Sequence, residues 1–200
     1  LITKTRADGS LKRRIIWDFR VSETNKAMDV AERVVLPKLE DVIADLAETS
    51  ASRGTATKPK FLVLDVSDAF HHIPLRPHER RFHCALVQGR VIAYRRLVFG
   101  SKASPTIWGR AGAWLGRTTA ALLDDHTRLN IYVDDPLLTS SGSDEEAIAE
   151  FDLATLWWQT AGFPLAWDKA SAGSTADWIG ASLDCQSVPG SVHVAIQEKK

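Results

Sequence analysis

The stretch Asn130-Ile131-Tyr132-Val133-Asp134-Asp135-Pro136-Leu137-Leu138 decides how the rest of the chain is read. Apolar residues flank an acidic pair on both sides, and Pro136 stops the first run. This pattern predicts a strand, a tight turn carrying two carboxylates, and a strand leaving again. Adjacent acids at a turn tip repel one another unless a cation sits beside them. Mg²⁺ is the hard cation usually held by one or two carboxylates while phosphates complete its shell. A solvated surface turn accommodates the same pair, because Asp before Pro is common there. A metal site needs a further carboxylate from elsewhere in the chain.

That carboxylate stands in Lys60-Phe61-Leu62-Val63-Leu64-Asp65-Val66-Ser67-Asp68-Ala69-Phe70. Phe61 to Leu64 is a continuous apolar run, as expected of a strand covered on both faces. Asp65 ends the run, where a charge is costly to desolvate unless paired or on metal.

Further out, the basic segment Lys4 to Arg20 contains Ile15-Ile16-Trp17, which predicts a strand edged by cations along a phosphate backbone. After Pro37, the apolar positions Leu39, Val42, Ile43 and Leu46 fall at helical spacing. Residues 80 to 95 predict a hairpin that turns near Gln88-Gly89. His71, His72, His78, His83 and Cys84 match no compact zinc spacing. In Leu97-Val98-Phe99-Gly100-Ser101-Lys102-Ala103-Ser104-Pro105, Gly100 permits close approach of backbone to a ligand. Ser104-Pro105 starts a helix running to about Leu123. Ser143 with Glu146 forms a capping-box pattern that opens a helix over 144–160. Trp157 and Trp158 on it are expected in the core, and Gly162-Phe163 ends it. Asp168-Lys169 follow, and Trp178-Ile179-Gly180 predicts a short strand.

The chain has 200 residues, 44% of them apolar, enough for one domain with a core. No apolar run approaches the ~20 residues that span a bilayer, so no membrane partner is expected. Cys84 and Cys185 are the only cysteines, which suits a reducing, intracellular setting. The chain opens on Leu1-Ile2-Thr3-Lys4 with no secretory signal, and is expected to be a piece of a longer polypeptide. Net charge is zero, yet the charges are sorted. Residues 53 to 117 carry twelve Lys or Arg against three acids, and residues 118 to 200 carry four against thirteen. This sorting suits a polyanion held near a metal, or two halves that attract one another.

The ordered series of Asp65 with Ala69-Phe70, Phe99-Gly100, Ser104-Pro105 and Tyr132-Val133-Asp134-Asp135 resembles the reverse transcriptases of retroelements and retroviruses. The resemblance runs from the basic strand near Arg14 to Trp178-Ile179-Gly180. It implies an α+β fold: a right-hand polymerase palm, an antiparallel sheet with helices packed on one face, plus part of the fingers. Residues 1–36 and 73–100 would be fingers elements, and 37–72 and 101–200 palm up to the start of the primer grip. Thumb, connection and ribonuclease H regions find no match, which points to a fingers–palm piece of a pol polyprotein, poorly active alone.

The resemblance also implies a site. Asp65, Asp134 and Asp135 match the palm carboxylates that hold two Mg²⁺ ions, with Mn²⁺ possible. Asp68 and Ala69 match the triphosphate cradle, together with Phe99 and Gly100. Phe70 matches the aromatic gate against a ribose 2′-hydroxyl. Arg14 matches a fingers cation on the triphosphate, and Lys169 a lysine near the leaving group. Tyr132, Trp178, Ile179 and Gly180 would lie along the primer. The implied partners are an RNA or DNA template, a DNA or RNA primer and deoxynucleoside triphosphates. Val98 departs from the Pro often found before the residue matching Phe99, and the segment before Lys169 varies in length. Two other readings remain: an inactive remnant that binds nucleic acid, and an RNA-dependent RNA polymerase palm, against which Phe70 argues.

Overall fold

The expected hairpin around the acidic pair forms, and the largest sheet is built on it. The computed structural model describes residues 2–5, 9, 11–14, 16–53, 58–185 and 191–197. Strands β1 (Ile2–Thr5) and β2 (Leu11–Arg14), helices α1 (Thr24–Ala27) and α2 (Leu39–Arg53), and strand β3 (Lys60–Val63) come first. Strands β4 (Cys84–Val87) and β5 (Arg90–Ala93), helix α3 (Ser104–Ala120), and strands β6 (Thr127–Tyr132) and β7 (Asp135–Ser140) follow. Helix α4 (Asp144–Thr160) and strands β8 (Ser171–Gly173), β9 (Thr175–Trp178), β10 (Ala181–Asp184) and β11 (His193–Ile196) come last. The chain divides into two units, Leu1–Val34 with Asp68–Arg110, and Val35–Ser67 with Ala111–Lys200.

The second unit holds an antiparallel sheet in the order β6–β7–β3–β8. Phe61, Leu137 and Leu138 are fully buried in its two central strands, as the unbroken apolar runs require. Successive strand residues point to opposite faces, and β6 shows which helix takes which face. Asn130 Nδ2 donates to Asp45 Oδ2 of α2 at 2.7 Å. The next residue, Ile131, packs on α3, where a Cβ on Gly116 would meet its Cδ1 at 3.3 Å. The indoles of Trp157 and Trp158 donate to Thr118 and Thr119 of α3 at 3.1 and 2.7 Å, which ties α4 to the same layer. The expected helical layer is thus α3 with α4, while α2 covers the other face. On the α2 side, Val42, Leu46, Phe61 and Leu137 share one apolar cluster with Ala176, Trp178 and Leu183. That cluster joins this four-stranded sheet to a second one, β11–β10–β9.

Local signals set the ends of these elements. The Ser143 hydroxyl accepts from Glu146 N–H at 3.2 Å, and the Glu146 carboxylate accepts from Ser143 N–H at 2.7 Å. This reciprocal cap starts α4 where the sequence pattern places it. Trp178 ends β9, and Ile179 (φ 42°) with Gly180 (φ 85°) forms the turn into β10. The expected strand through Ile179-Gly180 is therefore a hairpin turn instead. Positive φ at both central positions is the type I′ pattern that suits the twist of paired strands.

In the first unit, β4 and β5 form the expected hairpin, with Gln88 (φ 49°) and Gly89 (φ 73°) in another turn of this kind. The strand expected at Ile15-Ile16-Trp17 falls earlier, at Leu11–Arg14, paired with β1. Trp17 belongs instead to an aromatic group. Its ring meets Tyr94 edge-on at 5.0 Å, and its backbone N–H donates to the Phe99 carbonyl at 3.2 Å.

Candidate active site

Strands β6 and β7 meet at Val133–Asp134, and Val133 has φ 55°. Positive φ at only the first central residue marks a type II′ turn. For a β-branched residue it is also a strained conformation, of the kind that clusters at functional sites.

Past the end of β3, the pairing with β7 continues. Leu64 N–H donates to the Pro136 carbonyl at 2.9 Å, and Val66 N–H donates to the Asp134 carbonyl at 2.8 Å. These bonds bracket Asp65 and Asp135, leaving them as a directly opposed, non-hydrogen-bonded pair. Such pairs hold their Cα atoms about 4.5 Å apart with side chains on one face. Pro136 sits in a central strand, yet its missing N–H costs only the return bond to Leu64.

A third segment runs beside Asp65. Ser67 N–H donates to the Pro164 carbonyl at 3.0 Å, and Ala166 N–H donates to the Asp65 carbonyl at 2.9 Å. The 3-10 turn Trp167–Lys169 follows at once. It delivers the Lys169 ammonium to Asp65 Oδ2, where the two form an ion pair. From the small sheet, Trp178 donates its indole N–H to the Asp135 carbonyl at 2.9 Å. The same ring meets Tyr132 edge-on at 6.3 Å. Tyr132, Asp134, Asp135, Asp65, Lys169 and Trp178 therefore converge on one hairpin tip.

The electrostatics follow from that crowding. Burial, then Asp134, then Asp65 push the Asp135 carboxyl up to about 6, against the smaller opposing pull of Lys169. Three carboxylates and a single ammonium leave an excess of negative charge on oxygen donors. That donor set fits hard divalent cations such as Mg²⁺ or Mn²⁺.

A carboxyl with a raised folded pKa contributes stability below its unfolded pKa and loses it as pH rises through the folded value. For Asp135 the loss runs between about pH 4 and 6. Solvent screening of a half-exposed group limits it to about 1 kcal/mol. Asp135→Asn is thus expected to raise Tm at pH 7.5 in chelator by about 2–4 °C. The gain should vanish at pH 4, and differential scanning fluorimetry across that range would expose its absence.

Ile179 and Gly180 form the β9–β10 turn of the second unit, and the remaining candidate residues lie in the first. Asp68 has φ 50°, a conformation Asp tolerates better than most residues. Its carbonyl accepts His71 N–H at 2.7 Å and opens the 3-10 turn Ala69–His72. Phe70 leans on Phe99, with ring centroids 5.0 Å apart. Gly100 has φ 100°, and a Cβ there would strike the Trp17 carbonyl oxygen and stand 3.1 Å from its carbon. The close approach expected at Gly100 is made here by the chain's own backbone. Asn25, for which the sequence held no signal, clasps the same loop. It donates to the Gly100 carbonyl at 2.9 Å and accepts from Lys102 N–H at 2.8 Å. Arg14 ends β2, and its side chain lies outside the described residues.

An antiparallel sheet that presents opposed carboxylates at a strand end and a hairpin tip has the architecture of a polymerase palm. The profile of the family "Reverse transcriptase (RNA-dependent DNA polymerase)" matches residues 8–183, and the chain belongs to that family. No curated protein matches it in sequence. Among solved structures, it resembles the foamy viral protease-reverse transcriptase dRH in complex with double-stranded DNA. The TM-score is 0.69 and identity 16%, over 91% of this chain and 28% of that one. The foamy viral protease-reverse transcriptase in complex with RNA/DNA hybrid gives a TM-score of 0.66 at 15% identity, over 91% and 22%. The native prototype foamy virus protein gives 0.64 at 20%, over 89% and 21%. The likeness is one of fold, and this chain spans only 21–28% of their length.

Proposed function

We propose that the chain is the fingers–palm part of an RNA-directed DNA polymerase that adds deoxynucleotides to a primer 3′ end. The observation that carries this reading is the opposition of Asp65 and Asp135 beside the Asp134 turn, with Lys169 ion-paired at its edge. Asp65 and Asp134 would hold two Mg²⁺ ions, and Asp135, held by the Trp178 indole, would support them. Bound there, the ions would lower the pKa of the primer hydroxyl and take up charge on the departing pyrophosphate.

The remaining roles fall to the chain's own groups. Lys169 would exchange its pairing with Asp65 for the negative charge of the leaving group. Tyr132 and the Trp178–Gly180 turn would lie along the primer. In the first unit, Arg14 and the backbone at Asp68 and Ala69 would hold the triphosphate. Phe99 and Gly100 would frame the same pocket, and Phe70 would exclude a 2′-hydroxyl. Template, primer and deoxynucleotides are the partners, in keeping with the DNA and RNA/DNA hybrid bound by the foamy viral relatives. The free thiols of Cys84 and Cys185 suit an intracellular polyprotein.

The test is RNA-templated primer extension together with binding to a primer–template as salt is raised. Each phosphate held should contribute about −0.9 to the log–log slope on duplex, so binding should weaken steeply and independently of sequence. A salt-insensitive interaction, or extension that prefers ribonucleotides, would remove the basis for the proposal.

A further inference from the structure

A second cluster of ionisable groups stands at the opposite end of β6 from the acidic turn, where the polymerase reading uses none of it. Asp124, His126 and Glu150 place their potential ligand atoms within 4.8 Å of one another. His126 is 4% exposed and Glu150 7%, and His126 Nε2 lies 3.0 Å from Glu150 Oε2. Donors bound at about 2.0–2.2 Å to a tetrahedral ion stand roughly 3.3–3.6 Å apart. The His126–Glu150 separation is slightly below that range, and the whole set lies within 4.8 Å.

The cluster is also oriented. Asp124 N–H donates to Glu150 Oε1 at 2.6 Å, and the Thr127 hydroxyl reaches Oε2. These are the outer contacts that fix a ligating carboxylate. Glu146, whose Oε2 also accepts Ser143 N–H, stands outside that 4.8 Å group but faces the same space. His126 Nε2 and Glu146 Oε2 lie 2.8 and 2.9 Å from the point where a Cβ on Gly142 would sit. They are therefore less than about 6 Å apart, with Glu146 and Glu150 one turn apart on the same face of α4. Any side chain at Gly142 would fill that space.

The carboxylates outnumber the cations around this pair. One imidazole carries at most a single positive charge, whereas Glu150, Asp124 and Glu146 bring three carboxylates. The neighbouring cations Lys60 and Arg128 pair elsewhere, with Asp144 and Glu48. Glu150 is buried, Glu146 half-buried and Asp124 exposed, and a divalent ion would relieve the mutual repulsion of these carboxylates. The donor set names the ion. Imidazole with carboxylates suits zinc, whereas Mg²⁺ prefers oxygen alone and keeps much of its water. We propose that Asp124, His126 and Glu150 form a structural zinc site that clasps the start of β6 to α4, with Glu146 nearest the fourth position.

The 200-residue chain, stripped with chelator, should bind one zinc ion by equilibrium dialysis even in excess Mg²⁺. Zinc at a hundred times its Kd should raise Tm by about 5–10 °C. Asp134→Asn should leave this binding intact, which separates it from the palm carboxylates. His126→Gln and Asp124→Asn should each weaken it at least about tenfold, and Co²⁺ should lose its tetrahedral visible bands in both. Asp124 is exposed, so its variant reports even if His126→Gln does not fold. Failure of the unaltered chain to bind zinc would overturn the proposal, as would zinc bound unchanged by Asp124→Asn or lost with Asp134→Asn.

Discussion

Asp134→Asn is expected to lower RNA-templated primer extension by about a thousandfold or more. Metal charge stabilisation in phosphoryl transfer is worth several kcal/mol, and each 1.36 kcal/mol is about tenfold in rate. An amide has the size of the carboxyl but no charge, so it loses the cation while filling the same space. The loss should not come from unfolding. Asp134 gives the fold its backbone carbonyl, which accepts Val66 N–H at 2.8 Å, and the substitution leaves that group alone. Removing a charge that crowds Asp135 should instead leave Tm equal or higher. The measurement is single-turnover extension with protein in excess, on this chain or on a longer polypeptide that includes it, beside a melting curve. A variant that keeps its rate would take Asp134 out of the proposed metal site. One that loses both rate and Tm would show that the turn needs the carboxylate for its fold.

How much of this site could be read beforehand depends on whether each contact is local in sequence. The Ser143–Glu146 cap spans three residues and sets its helix end without help, so the pattern predicts Asp144–Thr160 as it stands. The acidic pair and the apolar run before Asp65 are equally local. Their opposition is not, because it depends on the register between two distant strands, which only the packed sheet supplies. Lys169 reaches Asp65 through a loop that pairs with residues 65–67, a route that no spacing rule contains. Ile179 misleads for the opposite reason: its β-branched side chain predicts a strand, but the closure of β9 on β10 overrides that preference.

Two further features were hidden by ordinary composition. Asn25 lies in a polar stretch with no motif, and its role depends on a loop 75 residues away. Glu150 sits on an acidic helix, yet it is buried against His126, just before β6. In both cases the signal is a side chain facing a backbone it does not adjoin. Periodicity and propensity do not carry that information.

Phe70→Ala should raise the use of ribonucleotides relative to deoxynucleotides by about 10- to 100-fold in kcat/KM. If the ring fills the space beside the sugar, a 2′-hydroxyl forced against it behaves as overpacking, which costs about 1–3 kcal/mol. With tenfold in rate for each 1.36 kcal/mol, that strain corresponds to about 5- to 150-fold. The local structure gives the ring the stiffness such a role needs. It follows the turn at Asp68, sits in a short 3-10 segment, and rests on Phe99 with centroids 5.0 Å apart. His71 meets the other side of the pair, edge-on to Phe99 at 5.7 Å. A ring free to swing would admit the hydroxyl at little cost, so Phe99→Ala should relax selectivity too, by less than Phe70→Ala and in the same direction. Use of deoxynucleotides should fall little in either variant, because the excluded volume matters only when the hydroxyl is present. If Phe70→Ala leaves the ratio unchanged while Tm shows the protein folded, the ring is packing for the first unit, and sugar choice is made elsewhere.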